Sequence, residues 1–338
     1  MEALIGQAMK DTVALRKTSV PWTADEPSSQ SYHVFDTKAS SWAEKKPDAD
    51  AAANKSPSPV DNIELFSWNI DFMLPFAEAR MKTALAHLET LVRATSSSTA
   101  SVIFIQECTP SDLLTIANTP WLQERFQLTD VDATAWATNH YGTVTLVDSR
   151  LPITSAFRVH YSKTRMDRDA FFVDVSLQGK SVRLCNTHLE SMALDPPYRP
   201  PQMELIAKYL HDPQIYAGVV AGDFNAVQPL DRTLHSENDL KDVYLNLGGK
   251  EDAEEGYTWG QQAATKLREQ FGCSRMDKLF YCGGIEVDGF ERFGQDVVVE
   301  DGAEAEQIVK LGFEKAWVTD HLGIKAGIKL SEKSPSRL

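Results

Sequence analysis

The stretch VVAGDFNA, residues 219–226, runs from Val219, Val220 and Ala221 through Gly222 into Asp223, Phe224 and Asn225. A short apolar run bounded by glycine is consistent with a buried strand. Its end is unusual. A carboxylate and an amide stand one residue apart, where a strand end ordinarily turns on Gly, Pro or Ser. In an extended chain alternate side chains share a face, so a strand continuing to Asn225 would deliver both polar groups to one place.

Four other apolar runs end in a similar way. IELFSWNID (63–71) ends on Asn69 and Asp71, and SVIFIQE (101–107) on Gln106 and Glu107. VRLCNTHLES (182–191) ends on Asn186, Thr187, His188 and Glu190, and WVTDHLGI (317–324) sets Asp320 and His321 before an apolar run. Singly, each is an ordinary turn or a solvated carboxylate. Together, strand ends meeting on one sheet edge would collect carboxylates, amides and two histidines at one mouth. Carboxylates with water suit a hard cation, Mg²⁺ or Mn²⁺, and no Cys/His spacing suggests zinc. A cation, neutral amides and histidine are the parts needed to hydrolyse a phosphate ester.

The runs YGTVTLV, FFVDVSL, YAGVVAG, KLFYC and LGIKAGI add strands, and helices are expected near 76–93, 111–117 and 201–211. Short strands with interspersed helices indicate an α+β (mixed α/β) domain. Residues 19–60, rich in Pro, Ser, Ala and charge with scattered aromatics (Trp22, Tyr32, Phe35, Trp42), read as an arm after an N-terminal helix. The expected division is an arm over 1–60, a catalytic domain over 61–330 and a tail over 331–338.

The 338 residues are 42% hydrophobic and 24% charged, with a formal net charge of −14. Residues 1–60 hold 7 Lys+Arg and 8 Asp+Glu, leaving 27 and 40 for the remainder. An acidic body argues against a long duplex-binding surface, which needs many phosphate-neutralising cations. No apolar run approaches the roughly 20 residues of a membrane helix, so no membrane insertion is expected. Four cysteines without a C-x-x-C pair, and no secretory leader pattern, fit reduced thiols and an intracellular, nuclear or cytoplasmic, location.

In their order, WNID (68–71), IQE (105–107), NTHLES (186–191), GDFN (222–225) and TDH (319–321) resemble the endonuclease/exonuclease/phosphatase superfamily of metal-dependent phosphoesterases. The chain is most similar to its tyrosyl-DNA phosphodiesterase 2 branch, in WNID, in THLES followed by Arg199 and Gln202, in YTW (257–259) and in RMDKLFY (275–281). The similarity covers about residues 62–328. It departs at Phe72, where the branch usually has Gly, at Val227–Gln228, where an Arg is missing, and after Trp259, where an Asp is missing.

The resemblance implies a four-layer sandwich of two mostly antiparallel β-sheets flanked by helices. It also implies a Mg²⁺- or Mn²⁺-dependent phosphodiesterase acting on nucleic-acid ends, with single-stranded DNA as the expected substrate. An RNA 3′-exonuclease or a small-phosphoester phosphatase shares the fold, and a non-catalytic phosphate-binding module is a reading different in kind. Glu107 is the expected direct metal ligand, with Asp320 reaching the metal through water or pairing with His188. Asn69 is expected beside the metal, Asp223 at the attacking water, and Asn225, His188 and His321 on the phosphate. Ser191, Arg168, Arg199, Trp259 and Arg275 are candidate substrate contacts, and Asp71, Glu190 and Asp277 candidate orienting groups. His87, His140, His160 and His235 stand outside any motif.

Overall fold

The computed structural model describes residues 2–49, 60–300 and 302–331. Two sheets face each other. The seven-stranded sheet runs β1 (Pro27–Ser29), β8 (Ile153–His160), β9 (Asp169–Leu177), β10 (Lys180–His188), β11 (Ala217–Asp223), β13 (Asp277–Gly283) and β12 (Lys241–Asp242). The eight-stranded sheet runs β14 (Ile285–Phe293), β15 (Gly323–Leu330), β4 (Asn62–Asn69), β5 (Thr99–Cys108), β7 (Gly142–Asp148), β6 (Phe126–Leu128), β2 (Tyr32–Asp36) and β3 (Ser41–Lys45). Neighbours are antiparallel except for β4–β5 and β10–β11, which are parallel. Parallel neighbours require a crossover connection. Here α2 (Ala77–Ala94) joins β4 to β5, and α5 (Arg199–Leu210) joins β10 to β11.

Period-2 alternation sorts each central strand between two apolar layers. Leu65, Phe104, Leu184 and Val219 meet between the sheets. Phe66 and Ile103 face outward onto Met81, Leu85 and Leu88 of α2. Cys185 and Val220 face outward onto Met203, Ile206 and Leu210 of α5. Both faces of these strands are covered, which accounts for their near-continuous apolar sequences. The architecture is the expected four-layer sandwich.

Two strands carry weaker sequence signals. β8, ITSAFRVH, is broken by Thr, Ser and Arg, and β14 is an edge strand with a bulge between Asp288 and Glu291. The larger departure lies in the expected arm. Residues 27–45 form β1 on the edge of one sheet and the β2–β3 hairpin on the edge of the other. Aromatics fasten the segment: Trp22, just before β1, stacks on His160 at 3.9 Å, and Trp42 Nε1 donates to Ala117 O at 2.9 Å. Short edge strands bury little apolar area, so composition alone suggests a linker. Residues 50–59 of the expected arm and 332–338 of the expected tail lie outside the described residues.

Arg158 on β8 ties this N-terminal segment to both sheets. It pairs with Asp130 and Asp169 at 2.9 Å and donates to Gln30 Oε1 at 3.3 Å, with 1% of its side chain exposed. Truncation would leave two buried carboxylates without their cation, a change that typically costs about 3–5 kcal/mol. Arg158→Ala is therefore expected to lower the unfolding free energy by about that amount, read from the urea midpoint at constant slope.

Candidate active site at the ends of two parallel strand pairs

The strand ends converge. Asn69 and Gln106 are register partners at the ends of β4 and β5; His188 and Asp223 are partners at the ends of β10 and β11; and Asp277 opens β13 opposite Asp223. The carboxyl ends of parallel strands are where open α/β sheets bind ligands. The backbone there is unusual. Asp71, Glu107 and Asn225 have φ of 56°, 60° and 46°, a left-handed region sparsely populated by non-glycine residues. A bulge between Ile105 and Cys108 re-aims the end of β5. Gln106 stays inside the sandwich, donating to Ser67 and Asn186, while Glu107 turns to the mouth. Gly222 (φ +150°) is indispensable, since a Cβ there would lie 1.8 Å from Thr187 O.

Asp223 is the hub. Its Oδ2 accepts from Asn69 Nδ2 at 2.9 Å and lies 3.3 Å from His188 Nε2 and 3.7 Å from His321 Nε2; its Oδ1 accepts from Asn225 N at 2.8 Å. Burial opposes its charge, but His321 and His188 together with these hydrogen bonds hold its pKa below the ordinary carboxylate range. His321 Nδ1 lies 2.8 Å from Asp277 Oδ2. Burial disfavours the imidazolium, yet Asp277, Asp223 and Asp320 outweigh it and hold the His321 pKa well above its usual value. Its Nε2 stays 3.7 Å from Asp223 and 3.8 Å from Asp320, too far for a hydrogen bond to either. An Arg168 Nη1 contacts His188 Nδ1. Guanidinium only donates, so Nδ1 accepts and the His188 ring proton sits on Nε2, facing Asp223.

Several expectations change. Asn225 does not continue an extended strand: Asp223 closes an Asx-turn on Asn225 N, and the Asn225 amide donates to Leu189 O at 3.1 Å. Asp320 does not pair with His188; it accepts from Trp259 Nε1 at 2.7 Å, and the carboxylates beside His188 are Asp223 and Glu107. Arg199 is buried, paired with Asp231 at 2.8 Å and bound to Glu190 O, Met192 O and Gln228. Arg275 is buried against Asp242 and Glu251. Neither has a guanidinium free for a substrate phosphate. Glu190 accepts from Thr164 and Arg165 and so shapes the loop carrying Arg168. Ser191 and Trp259 line a cleft of about 700 Å³ that runs from Asn225 past Val227, Tyr257 and Phe271.

Arg80 is a site residue the motifs do not signal. Completely buried on α2, it donates to five carbonyls: Ile70, Asp71, Leu74, Pro75 and Val318. It thereby holds the loop after WNID against the segment before Asp320. Helical phase carries the clue, because Arg80 falls on the face of Met81, Ala84, Leu85 and Leu88.

The donor set fits a divalent cation. Buried Asp71 is pushed up to about 8, first by burial and then by Asp320 and Glu107; Arg80 offsets this only in part. Carboxylates crowded enough to impede one another's ionisation are relieved by a hard cation. The tightest group among the described residues is instead Asp223, Asp277 and His321, with ligand atoms within 4.8 Å of one another. Its 2.8 Å His–Asp contact and the raised His321 pKa mark it as a hydrogen-bonded ion pair, whereas a metal-bound histidine must be unprotonated. Glu107 is the better ligand: among the described residues its Oε2 accepts from Phe72 N alone, at 3.0 Å, and its Oε1 lies 3.7 Å from His188.

Among known proteins, human tyrosyl-DNA phosphodiesterase 2 is 25% identical over 231 residues, covering 66% of this chain and 59% of that protein. The chain thus spans about three fifths of that relative. A crystal structure of TDP2 from Caenorhabditis elegans aligns with a TM-score of 0.58 at 23% identity, covering 79% of this chain and 74% of the other. A D. rerio TDP2 complexed with single-strand DNA product aligns with a TM-score of 0.61 at 19% identity, covering 79% and 99%. Both share the fold described above. The Endonuclease/Exonuclease/phosphatase family pattern matches residues 66–321, a span that contains every site residue from Asn69 to His321, and the chain belongs to that family.

Proposed function

We propose that the protein is a divalent-metal-dependent phosphodiesterase that hydrolyses a terminal phosphodiester on single-stranded DNA, including an end blocked by a 5′-tyrosyl adduct. The observation that carries the reading is the pairing of a charged His321, held by Asp277, with an ionised Asp223 beside Glu107. An Mg²⁺ or Mn²⁺ ion held by Glu107, with Asp320 acting through water, would supply polarisation of a phosphoryl oxygen. Asp223, already ionised and fixed by Asn69 and Asn225 N, orients the attacking water; its low pKa makes orientation its larger contribution. His321 offers Nε2–H to a non-bridging oxygen, a charge-assisted hydrogen bond. His188 turns its Nε2–H to Asp223 at 3.3 Å and helps to hold that carboxylate in place. Asn69 buttresses Asp223 rather than standing free for substrate.

DNA as substrate is supported by the tyrosyl-DNA phosphodiesterase 2 relatives and by the D. rerio structure with single-strand DNA product. The mostly apolar cleft beside Trp259 suits a flat group next to the phosphate. The arginines lining it, Arg232 and Arg275, are each paired with an acid. The grip on the backbone is therefore short.

Glu107→Gln keeps the shape of the side chain and removes the charge. Its kcat/KM at ordinary Mg²⁺ should fall by more than the 10–100-fold typical of a lost supporting contact to a metal ligand, and added Mg²⁺ should restore part of it. Wild-type turnover by the variant at low Mg²⁺ would remove Glu107 from the cation.

A pH profile reads His321. Because its folded pKa is raised, its ion pair stabilises the fold fully below the ordinary value of 6.5 and is lost as pH rises through the higher folded value. Activity should hold well above pH 6.5, and Asp277→Asn should draw the alkaline limb down toward neutrality. An unshifted limb would show that Asp277 does not set the His321 charge.

Substrate class is tested by Mg²⁺-dependent cleavage of a 5′-phosphotyrosyl oligonucleotide beside nicked duplex, oligo(A) and a soluble phosphoinositide. The first should be fastest, with a shallow logarithmic salt slope of roughly −0.7 per phosphate neutralised. Faster cleavage of oligo(A) or the phosphoinositide, or internal nicking with a steep slope, would reassign the substrate and leave the metal site standing.

A further inference from the structure

The segment after α1 (Glu2–Ala14) lies against the loops that rim the site. Arg16 bridges to Thr138 in antiparallel fashion, Lys17 N donates to Ala137 O at 3.1 Å, and Asn139 N to Leu15 O at 3.0 Å. Arg16 makes a second set of contacts, to the turn that precedes Arg168. Its Nε reaches the Asp167 carboxylate at 2.8–2.9 Å and its Nη2 donates to Arg165 O at 2.8 Å. Tyr141 OH holds Met166 O at 2.6 Å, so each of these three residues is tied through a backbone oxygen or a side chain. Asp167 has φ 56°, a left-handed conformation, and Glu190 and Thr164 hold the turn from inside while Arg16 holds it from the N-terminal segment. Arg168 leaves the turn with its guanidinium 5.1 Å over the Tyr141 ring and in contact with His188 Nδ1.

We propose that Arg16 is a positioning residue for the reaction. By fastening the 165–167 turn it sets Arg168 against His188, and Arg168 in turn fixes the tautomer that presents His188 Nε2–H to Asp223. The N-terminal segment is then part of the catalytic unit rather than a separable extension. Arg16 has 42% of its side chain exposed and Asp167 9%, so loss of the pair costs some stability as well, and the test below separates that cost from positioning. Misplacement of a catalytic contact by about 1 Å can cost roughly 10²-fold in rate.

The proposal rests on the phosphodiesterase reading above, and its test separates the two. Full-length Arg16→Ala, Arg16→Lys, Lys17→Ala, Arg168→Ala and the Arg16→Ala/Arg168→Ala double variant are assayed on bis-p-nitrophenyl phosphate with Mg²⁺. Lys17 serves as the control, since its ammonium holds Ala133 O and Thr134 O in the same segment and does not touch the 165–167 turn. Arg16→Ala should lose kcat by about 10- to 100-fold with KM little changed, at a temperature well below its Tm, and Lys17→Ala should retain kcat. Arg16→Lys should recover part of the loss, since it keeps the charge without the two-point fork. In the Arg168→Ala background Arg16→Ala should cost nothing further. A wild-type kcat for Arg16→Ala, or an equal loss in both backgrounds, would overturn the proposal. If the wild-type chain turns over no phosphodiester, the phosphodiesterase reading fails instead, and the His188 ring ¹⁵N shifts still decide on Arg16. Arg16→Ala should move them and Lys17→Ala should not; unmoved shifts in Arg16→Ala would overturn its positioning role.

Discussion

The 2.9 Å hydrogen bond from Asn69 Nδ2 to Asp223 Oδ2 joins the end of β4 in one sheet to the end of β11 in the other. Everything in the site is arranged about it. Asn69 is held from the far side, with its Oδ1 accepting from Asp71 N and its carbonyl from Thr319 Oγ1. Thr319 also accepts from His321 N, and Trp68 Nε1 donates to His321 O. The histidine is thus placed by the same strand end that places the amide. A buried carboxylate with several donors stays ionised, and Asp277 first, with Asp223 beside it, keeps the His321 ring charged. The two charges are intelligible only together, because each offsets the burial of the other.

Much of this is legible in the sequence. Strands buried on both faces announce themselves as apolar runs, and their polar ends announce the mouth. The pleat also explains where such reading fails. Extrapolating the period of two past Asp223 puts Asn225 on the same face, whereas the chain turns there with φ 46°. Gln106 and Glu107 look alike as polar neighbours, but a bulge sends one between the sheets and the other to the site. Arg199 and Arg275 read as candidate phosphate ligands because a sequence shows charge without its partner; Asp231, Asp242 and Glu251 are 32, 33 and 24 residues from them. The edge strands of residues 27–45 lack apolar runs because an edge needs backbone pairing more than burial.

Buried cations recur as fasteners. Arg80 gathers five carbonyls, Arg158 two carboxylates, and Arg199 a carboxylate and two carbonyls. Such groups are costly to desolvate, and apolar substitutes often hold a core as well. Their use here is concentrated where irregular backbone would otherwise leave carbonyls unpaired. The loop after WNID and the segment following Glu190 both lead away from the site, and each is spanned by one guanidinium whose planar fork matches several acceptors at once.

The parallel pairs have a further consequence for how the molecule forms. Asn69 and Asp223 are 154 residues apart, and the Trp68–His321 contact closes 253 residues. Native pairings between distant parts of a chain are reached slowly, because loop-closure entropy is spent before the contacts offset it. The helix crossovers β4–α2–β5 and β10–α5–β11 are comparatively local, so each half can gather its own apolar layer first. Neither half holds both the amide and the carboxylate. Competence for chemistry therefore arrives late in folding, when the two halves close face to face and bring Asn69 to Asp223 and Trp68 to His321.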